Sequence, residues 1–511
     1  MSDFHERLCE ISANARFLEN SLHPFHRLHP DIIVEISKYL DPRACNNGYA
    51  QLLHASQICR SWRETLVSQP TLWSFINGSR PGLIPCFLDR SGNAHLDIYI
   101  VSRRVKEVIE YINPHIDRLR SLHIELSRDR DSQFLALRDL EAAPMLRRLN
   151  IECRGILGPD NLEFTPGIVG PTPSLYHLQL FGIHITPQLL QLRNLTFVSL
   201  DVSTATLRVS LDLLSRNPFL RVIHLWGQDI EASSEDISHP PGSINLPHLE
   251  VLLSGMTPLA HLEALSPPRG ARIFSGFARG GSPNYYPRGS HIASFPPPAS
   301  FSNLRDLRKL TLVDQGEIYM KLEGEDGSVT YCMYRDRPFK QGSFSGLPLG
   351  EVTDATYEIT PLFWHRPPAG PTTSQFIVSR IVCGMTRLQK LELSSCNAEQ
   401  VEYFLLVLHS TSVCRDLKFL VLSHCVELGR QMRGLVTMAE GRKAEGIGLD
   451  NVQIVHSNIQ FLMTTFKQGE ARRLEHAVGN LKYLRAEQGR AGRSSLRFDP
   501  DIGVAQPHMF F

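Results

Sequence analysis

The chain has 511 residues, a formal charge of +1 and 42% hydrophobic content, enough for one large core or several domains of about 100–200 residues. So small a net charge offers no bulk attraction to nucleic acid or anionic lipid, and the longest apolar run, Tyr403 to Leu408, is far short of the roughly 18 residues of a bilayer span. The start, MSDFHERLCEIS, is charged and has no apolar signal core, and the ten cysteines are scattered; the expectation is free thiols in a reducing compartment, cytoplasmic and/or nuclear, with no membrane association.

The first informative stretch is Leu28 to Ile76. Pro30 suits a first helical turn, where its missing N–H costs nothing. Ile32, Ile33, Ile36 and Leu40 follow at helical spacing, until Asp41-Pro42 and Asn46-Asn47-Gly48 break the chain. A second helix over about 50–59 and a third over about 62–67 complete a three-helix unit. A module of this size buries little area by itself, and its apolar positions exceed a single stripe, so it is expected to dock on something. The ordered set Leu28, Pro30, Asp31, Ile32, Ile36, Leu40, then Ile58-Cys59, Trp62-Arg63, and Pro70 with Leu72-Trp73 resembles an F-box of the kind common in large fungal families. The likeness covers about a tenth of the chain. It departs from the pattern at His29, where a proline is usual, and in a longer spacer from Asp41 to Leu52.

From residue 116 the template L-x-x-L-x-L recurs, the strand signature of leucine-rich repeats. Its copies are Leu119-Leu122-Ile124, Leu146-Leu149-Ile151, Leu175-Leu178-Leu180, Leu195-Val198-Leu200, Leu220-Ile223-Leu225 and Leu249-Leu252-Ser254. Leu307-Leu310-Leu312, Leu388-Leu391-Leu393, Leu417-Leu420-Leu422 and Leu449-Val452-Ile454 follow. Successive third positions lie 20 to 32 residues apart, save for intervals of 58 and 81. Cys396 and Cys425 extend two copies to L-x-x-L-x-L-x-x-C, where the sulfur is expected to turn inward and bond stacked backbone, a structural role. Helical stripes separate the strands: Phe134, Leu137 and Leu140; Val401, Phe404 and Leu408, with Asn397 and Gln400 as a capping box; and Leu428, Met432, Leu435 and Ala439. Such strand–helix units bury their apolar faces only by stacking. A doubly wound α/β enzyme also alternates strand and helix, but no Gly-rich phosphate loop follows any of these strands.

The expected class is therefore α/β: a small three-helix F-box followed by a leucine-rich-repeat-like solenoid with parallel inner strands, outer helices and loop insertions. The expected organisation is an N-terminal segment (1–27), the F-box (28–76), a linker (77–115), the repeat domain (116–460, with insertions at about 256–300 and 313–384) and a tail (461–511) holding one helix near Glu470 to Leu484. Residues 266–300 are rich in Pro, Gly and Arg with no acidic residue, and are expected to be a disordered loop that supplies no strand. In the second insertion, Ile318, Met320 and Leu322 alternate before Glu325-Asp326-Gly327, and Val329, Tyr331 and Met333 alternate after it, which predicts a hairpin. The remainder of that insertion reads as loop.

The chemistry-bearing groupings are better explained without catalysis. His23, His26 and His29 are flanked by prolines and lack Cys or acidic partners for a metal, and no C-x-x-C is present. Gly446-Ile447-Gly448 lacks a third glycine, and Glu323, Glu325 and Asp326 fit a solvated turn better than a carboxylate pair. Arg272, Phe274, Phe277, Arg279, Tyr285, Tyr286 and Arg288 have a composition that could stack on RNA, which loop composition explains equally well. No metal, cofactor or nucleic-acid partner is expected. The resemblance implies a non-enzymatic substrate-recognition adaptor of an SCF-type cullin–RING ubiquitin ligase, holding a Skp-family linker subunit and, through it, a cullin, while the solenoid holds a target protein. Leu28, Pro30, Ile32, Ile33, Ile36, Leu40, Ile58, Cys59 and Trp62 form the apolar set this assigns to linker binding. The alternatives are a non-degradative F-box scaffold and, behind it, an α/β enzyme.

Overall fold

The second and third residues of each of the ten L-x-x-L-x-L copies lie on a β-strand, with the second buried. The computed structural model describes residues 2–22, 28–39, 48–101, 105–126, 142–153, 174–183, 187–202, 207–227, 243–255, 264–275, 307–314, 317–325, 328–334, 347, 349–359, 381–410, 413–425, 428–456 and 468–485. Those up to Leu195 form one unit and those from Thr196 a second. The class is α/β with a mostly parallel sheet.

In the first unit, helices α1 (Ser2–Leu22), α2 (Pro30–Lys38), α3 (Gly48–Ala55) and α4 (Arg60–Val67) come first. Then follow β1 (Phe75–Asn77), α5 (Ile84–Arg90), β2 (Leu96–Val101), α6 (Val105–Ile112), β3 (Leu119–Leu126), β4 (Arg148–Cys153) and β5 (His177–Phe181). The five strands pair in parallel in chain order. Their register stacks Ile98, Leu122, Leu149 and Leu178 in one ladder and Ile100, Ile124, Ile151 and Leu180 in another, all buried. Residues 77–115 are thus no linker. They carry β2 and two helices, with Ile84, Phe87, Val108, Ile109 and Ile112 in the core. The repeat template missed β2 because a register shift at Leu96/Asp97 lets Leu96 stand opposite Leu119 one residue early, giving L-x-I-x-I.

The second unit contains β6 (Phe197–Val202), α7 (Leu207–Ser215), β7 (Val222–Gly227), β8 (Ile244–Asn245), β9 (Val251–Gly255), β10 (Leu265–Ser266), β11 (Arg272–Ser275) and β12 (Lys309–Asp314). It continues with β13 (Glu317–Glu323), β14 (Ser328–Tyr334), β15 (Asp354–Ile359), β16 (Lys390–Ser394), α8 (Ala398–His409), β17 (Phe419–Ser423), α9 (Leu428–Ala444), β18 (Asn451–His456), α10 (Gln468–Ala477) and β19 (Asn480–Arg485). The sheet order is β6-β7-β9-β11-β14-β13-β12-β15-β16-β17-β18-β19, with β8 and β10 paired apart. Strands β13 and β14 form the expected hairpin, and the two alternating sets oppose each other: Ile318 with Met333, Met320 with Tyr331, Leu322 with Val329. Unlike a loop excursion, this hairpin is part of the sheet. β14 runs parallel to β11, while β13 is antiparallel to both neighbours.

Three further strands correct the sequence reading. β11 lies inside the 266–300 stretch expected to supply none; Ile273 and Phe274 are buried there, while Phe277, Arg279, Tyr285, Tyr286 and Arg288 lie outside the described residues. β15 lies in the insertion read as loop, with Val352, Ala355 and Tyr357 in the template positions, small and aromatic residues replacing leucine. β19 lies in the expected tail, so the helix there stops at Ala477 and Leu481 and Tyr483 stack on Val452 and Ile454. Gly479 permits that closure, since a Cβ would stand 2.8 Å from the Asp450 carbonyl.

The strand ends show the same economy. Gly182 (φ 66°), Ser395 (φ 55°) and His424 (φ 55°) each sit two residues after the last ladder residue in the left-handed region. The next residue, Ile183, Cys396 or Cys425, turns inward and is buried. Glycine is required at the first, where a Cβ would approach the Cys153 carbonyl to 2.6 Å. Cys425 Sγ donates to the Leu393 carbonyl at 3.4 Å, on the neighbouring strand, as expected, whereas Cys396 Sγ donates to Ser394 of its own strand at 3.6 Å. The capping box on α8 is present: the Gln400 N–H donates to Asn397 Oδ1 at 3.0 Å and the Asn397 N–H to Gln400 Oε1 at 2.9 Å. Val401, Phe404 and Leu408 of α8 and Leu428, Met432, Leu435 and Ala439 of α9 are buried; the Phe134 stripe lies outside the described residues.

One cation is central to the second unit. Arg442 of α9 is fully buried and donates to the carbonyls of Leu408 (3.2 Å), Val413 (3.3 Å), Cys414 (2.7 Å) and Arg415 (3.5 Å). Leu408 belongs to the last turn of α8, whose final carbonyls have no helical donor, and the other three lie in the loop leading to β17. Burial lowers the guanidinium pKa and pushes the nearby Cys414 thiol up to about 12. Replacing Arg442 by Met should cost roughly 3 kcal/mol, because buried carbonyls lose charged donors. Arg442→Lys should recover only part, as one ammonium cannot span the four acceptors. Urea unfolding of the two variants checks this.

Candidate partner-docking face

The 28–76 segment builds its own small core. Ile33 of α2, Ala55 of α3, Cys59, and Trp62 and Leu66 of α4 are buried together, with Leu28 and Leu72 packed against them. α2 begins as expected with Pro30 at its first position. His29 is the N-cap, its Nδ1 accepting from the Asp31 N–H at 3.4 Å. Ser37 Oγ donates back to the Ile33 carbonyl at 2.7 Å. The third helix starts at Arg60, two residues earlier than its spacing suggested, because Cys59 leaves the helical region (φ −160°) and caps it: its Sγ accepts from the Trp62 N–H at 3.4 Å. Correspondingly α3 ends at Ala55, and Arg63 Nε donates to the Ser56 carbonyl at 3.1 Å, tying α4 to the end of α3. An Arg60–Glu64 ion pair one turn apart raises the Arg60 pKa. Trp73 anchors the module's end: its Nε1 donates to the Leu66 carbonyl at 2.8 Å, its ring meets Phe87 edge-on at 5.1 Å, and the Arg90 guanidinium lies 4.3 Å over it.

The structure sorts the nine expected site residues. Ile33 (1% exposed), Cys59 and Trp62 are interior and hold the module together, while Leu28 is half-buried against them. Ile32 (47% exposed), Ile36 (38%), Ile58 (53%) and Pro30 are outside. Leu40 lies outside the described residues. Ile32, Ile36 and Tyr39 follow one another at i, i+4 and i+7 and so share the outer side of α2; Tyr39 and Val67 are exposed apolar groups that sequence reading passed over. Leu66 was legible as the i+4 partner of Trp62. Ala55 carried no such signal, being small and in a short helix.

A second grouping, on the opposite side of the first unit's sheet from its leucine ladders, was missed. Asp97, Ser121, Arg148 and His177 occupy one row of register, and Tyr99, His123, Asn150 and Gln179 the next. Tyr99 donates to Glu125 Oε1 at 2.7 Å, His123 Nε2 stands 3.4 Å from the same oxygen, Asn150 Nδ2 lies 2.9 Å from His123 Nδ1, and Gln179 donates to Glu152 Oε1 at 3.1 Å. Arg120 pairs with Asp97, Nε to Oδ1 at 3.0 Å, which raises the arginine pKa. His123, Glu125, Asn150 and Glu152 are buried, so they are placed to fix strand register rather than to meet a substrate. No alternation of apolar residues signals such a row. Among the described residues no group of three or more His, Cys, Asp or Glu is placed to hold a metal, and no helix is long and apolar enough to cross a membrane. Compared with models of known protein families and with curated protein sequences, the chain matches none.

Two outcomes follow from this geometry. Ile32→Asp with Ile36→Asp should change the melting free energy by less than about 1 kcal/mol, both sites being solvated already, whereas Trp62→Ala should cost about 3–5 kcal/mol; thermal melting of the two variants separates core from face. His177, whose pKa burial and the nearby Arg148 push down to about 3, must stay neutral in the folded chain. Its contribution is complete above the unfolded pKa near 6.5 and is lost as pH falls toward 3, about 2 kcal/mol between pH 7 and pH 5. His177→Gln should remove that increment from the difference between unfolding curves at the two pH values.

Proposed function

We propose that the chain is a substrate-recognition adaptor of an SCF-type cullin–RING ubiquitin ligase, with residues 28–76 as an F-box and the stacked strands as a leucine-rich-repeat-like solenoid. On this reading it performs no catalysis. The outer residues of the module hold a Skp-family linker subunit and through it a cullin, while the repeats hold a target protein. Ubiquitin transfer then accelerates because target lysines are kept at high effective concentration near the charged conjugating enzyme.

The observation that supports this most is the exposure of Ile32, Ile36 and Ile58 on a module that already has a closed core of Ile33, Cys59, Trp62 and Leu66. Apolar residues that the module does not need internally, two of them a helical turn apart on α2 and the third in the turn before α4, suit a surface for another protein. The loss from placing a carboxylate there falls on binding alone, because burying an unpaired charge is what a docked partner would impose.

Co-purification of the intact chain tests the reading. The linker subunit and cullin should be recovered together, and Ile32→Asp with Ile36→Asp should weaken linker binding at least about 100-fold, roughly 2.7 kcal/mol, with melting unchanged. Recovery of linker without cullin would favour the non-degradative scaffold. Full binding by the double variant would reject the assigned face.

A further inference from the structure

Cys396 and Cys425 occupy the same place in two consecutive repeats. Strands β16 and β17 pair in parallel, with Leu393 beside Leu422 and Ser394 beside Ser423. The chain leaves both strands by the same path: Ser395 and His424 each adopt φ 55°, and the Ser395 N–H donates to the Ser423 carbonyl at 2.8 Å. The next residues, the two cysteines, therefore continue the stack. Equivalent Cα atoms on neighbouring strands lie about 4.8 Å apart, within the roughly 4.4–6.8 Å that a disulfide accepts. Cys425 Sγ reaches across to the Leu393 carbonyl at 3.4 Å, and the two side chains are hydrogen-bonded to each other. Both are thiols, not a disulfide.

The pair differs from the buried Cys414, whose thiol burial pushes up to about 12, suppressing the reactive thiolate. At Cys425 the hydrogen bond from Cys396 outweighs burial and holds the thiol below its ordinary value. Cys425 is therefore the better nucleophile, and Cys396 is the group placed to resolve what forms on it. Neither sulfur faces solvent, Cys396 being 0% and Cys425 1% exposed. Asn397, next in the chain to Cys396, is exposed, so the pair lies just beneath the surface. Such a site suits a small oxidant and excludes a bulky one.

We propose that Cys396 and Cys425 are an oxidation site for a small hydroperoxide, closing to a disulfide that staples two consecutive repeats. The Cys425 thiolate attacks one oxygen of hydrogen peroxide. The O–O bond breaks, the departing hydroxide takes up the thiol proton as water, and the sulfur becomes a sulfenic acid. The Cys396 sulfur then attacks the sulfenyl sulfur, the S–O bond breaks, and the second hydroxide leaves with the Cys396 proton as water. Two thiols and one hydrogen peroxide thus give one disulfide and two waters. The inference is independent of the adaptor reading, because it uses none of the 28–76 residues.

The full chain treated with hydrogen peroxide, then blocked and mapped without reduction, should yield a peptide pair linked between residues 396 and 425 that dithiothreitol separates. The linked chain should unfold at a urea midpoint higher by about 0.5–1 M, since the link restricts the unfolded chain. Cys396→Ser should leave Cys425 as a sulfenic acid that dimedone traps, and Cys425→Ser should leave Cys396 unmodified. Peroxide that oxidises the exposed Cys9 and Cys383 while residues 396 and 425 remain thiols, or links either to another cysteine, would overturn the site. An unchanged midpoint in the linked chain would overturn the staple, and dimedone on Cys396 in Cys425→Ser would overturn the order of attack.

Discussion

Stacking of aliphatic side chains at register-equivalent positions is the constraint from which both units follow. In the second unit one continuous ladder runs Val198, Ile223, Leu252, Ile273, Val329, Leu322, Leu310, Ala355, Leu391, Leu420, Val452 and Leu481. Each member removes apolar surface from water only because its neighbours lie about 4.8 Å to either side. A single strand–helix segment could not do this alone, which is why the helices α8 and α9 pack as successive partners over the same ladder and why Arg442 is tolerated between them. Its buried charge is met by four carbonyls at the end of α8 and in the turn that follows.

The same ladder explains how an antiparallel hairpin can interrupt a parallel sheet. Strand direction changes the hydrogen-bond pattern but not the period of two along each strand. Leu322 and Val329 therefore carry the apolar row across β13 and β14 as well as a parallel strand would. What the sheet demands is a buried aliphatic or aromatic group at the right register. Direction of travel is secondary, and so is strict leucine identity: Ala355 and Tyr357 serve in β15.

The N-terminal helices obey a different balance. Residues 28–76 enclose a core of five buried side chains and leave Ile32, Ile36 and Ile58 outside, and α1 leaves Phe4, Leu8, Ile11 and Leu18 exposed. Neither face adds to the stability of the free chain. Each would gain from a surface that removed it from water. The polar rows on the first unit's sheet are the converse, polar groups taken out of water and in part compensated across strands, as by Tyr99 with Glu125 and Asn150 with His123.

The sequence by itself determined the ten leucine-marked strands, the hairpin, the capped helix α8, the start of α2 and the inward-turned cysteines, because each rests on short-range spacing or local hydrogen bonding that a few neighbouring residues specify. It could not determine β2, β11, β15 and β19: their residues are ordinary in isolation and become strands only because a neighbour offers a ladder to extend, and a one-residue register shift or an alanine in place of leucine is enough to hide them. Likewise the motif Ile32-Ile33 reads as two equivalent isoleucines. Only packing against Trp62 and Cys59 buries the second and turns the first to solvent, because two adjacent helical residues lie about 100° apart and the core can take just one of them.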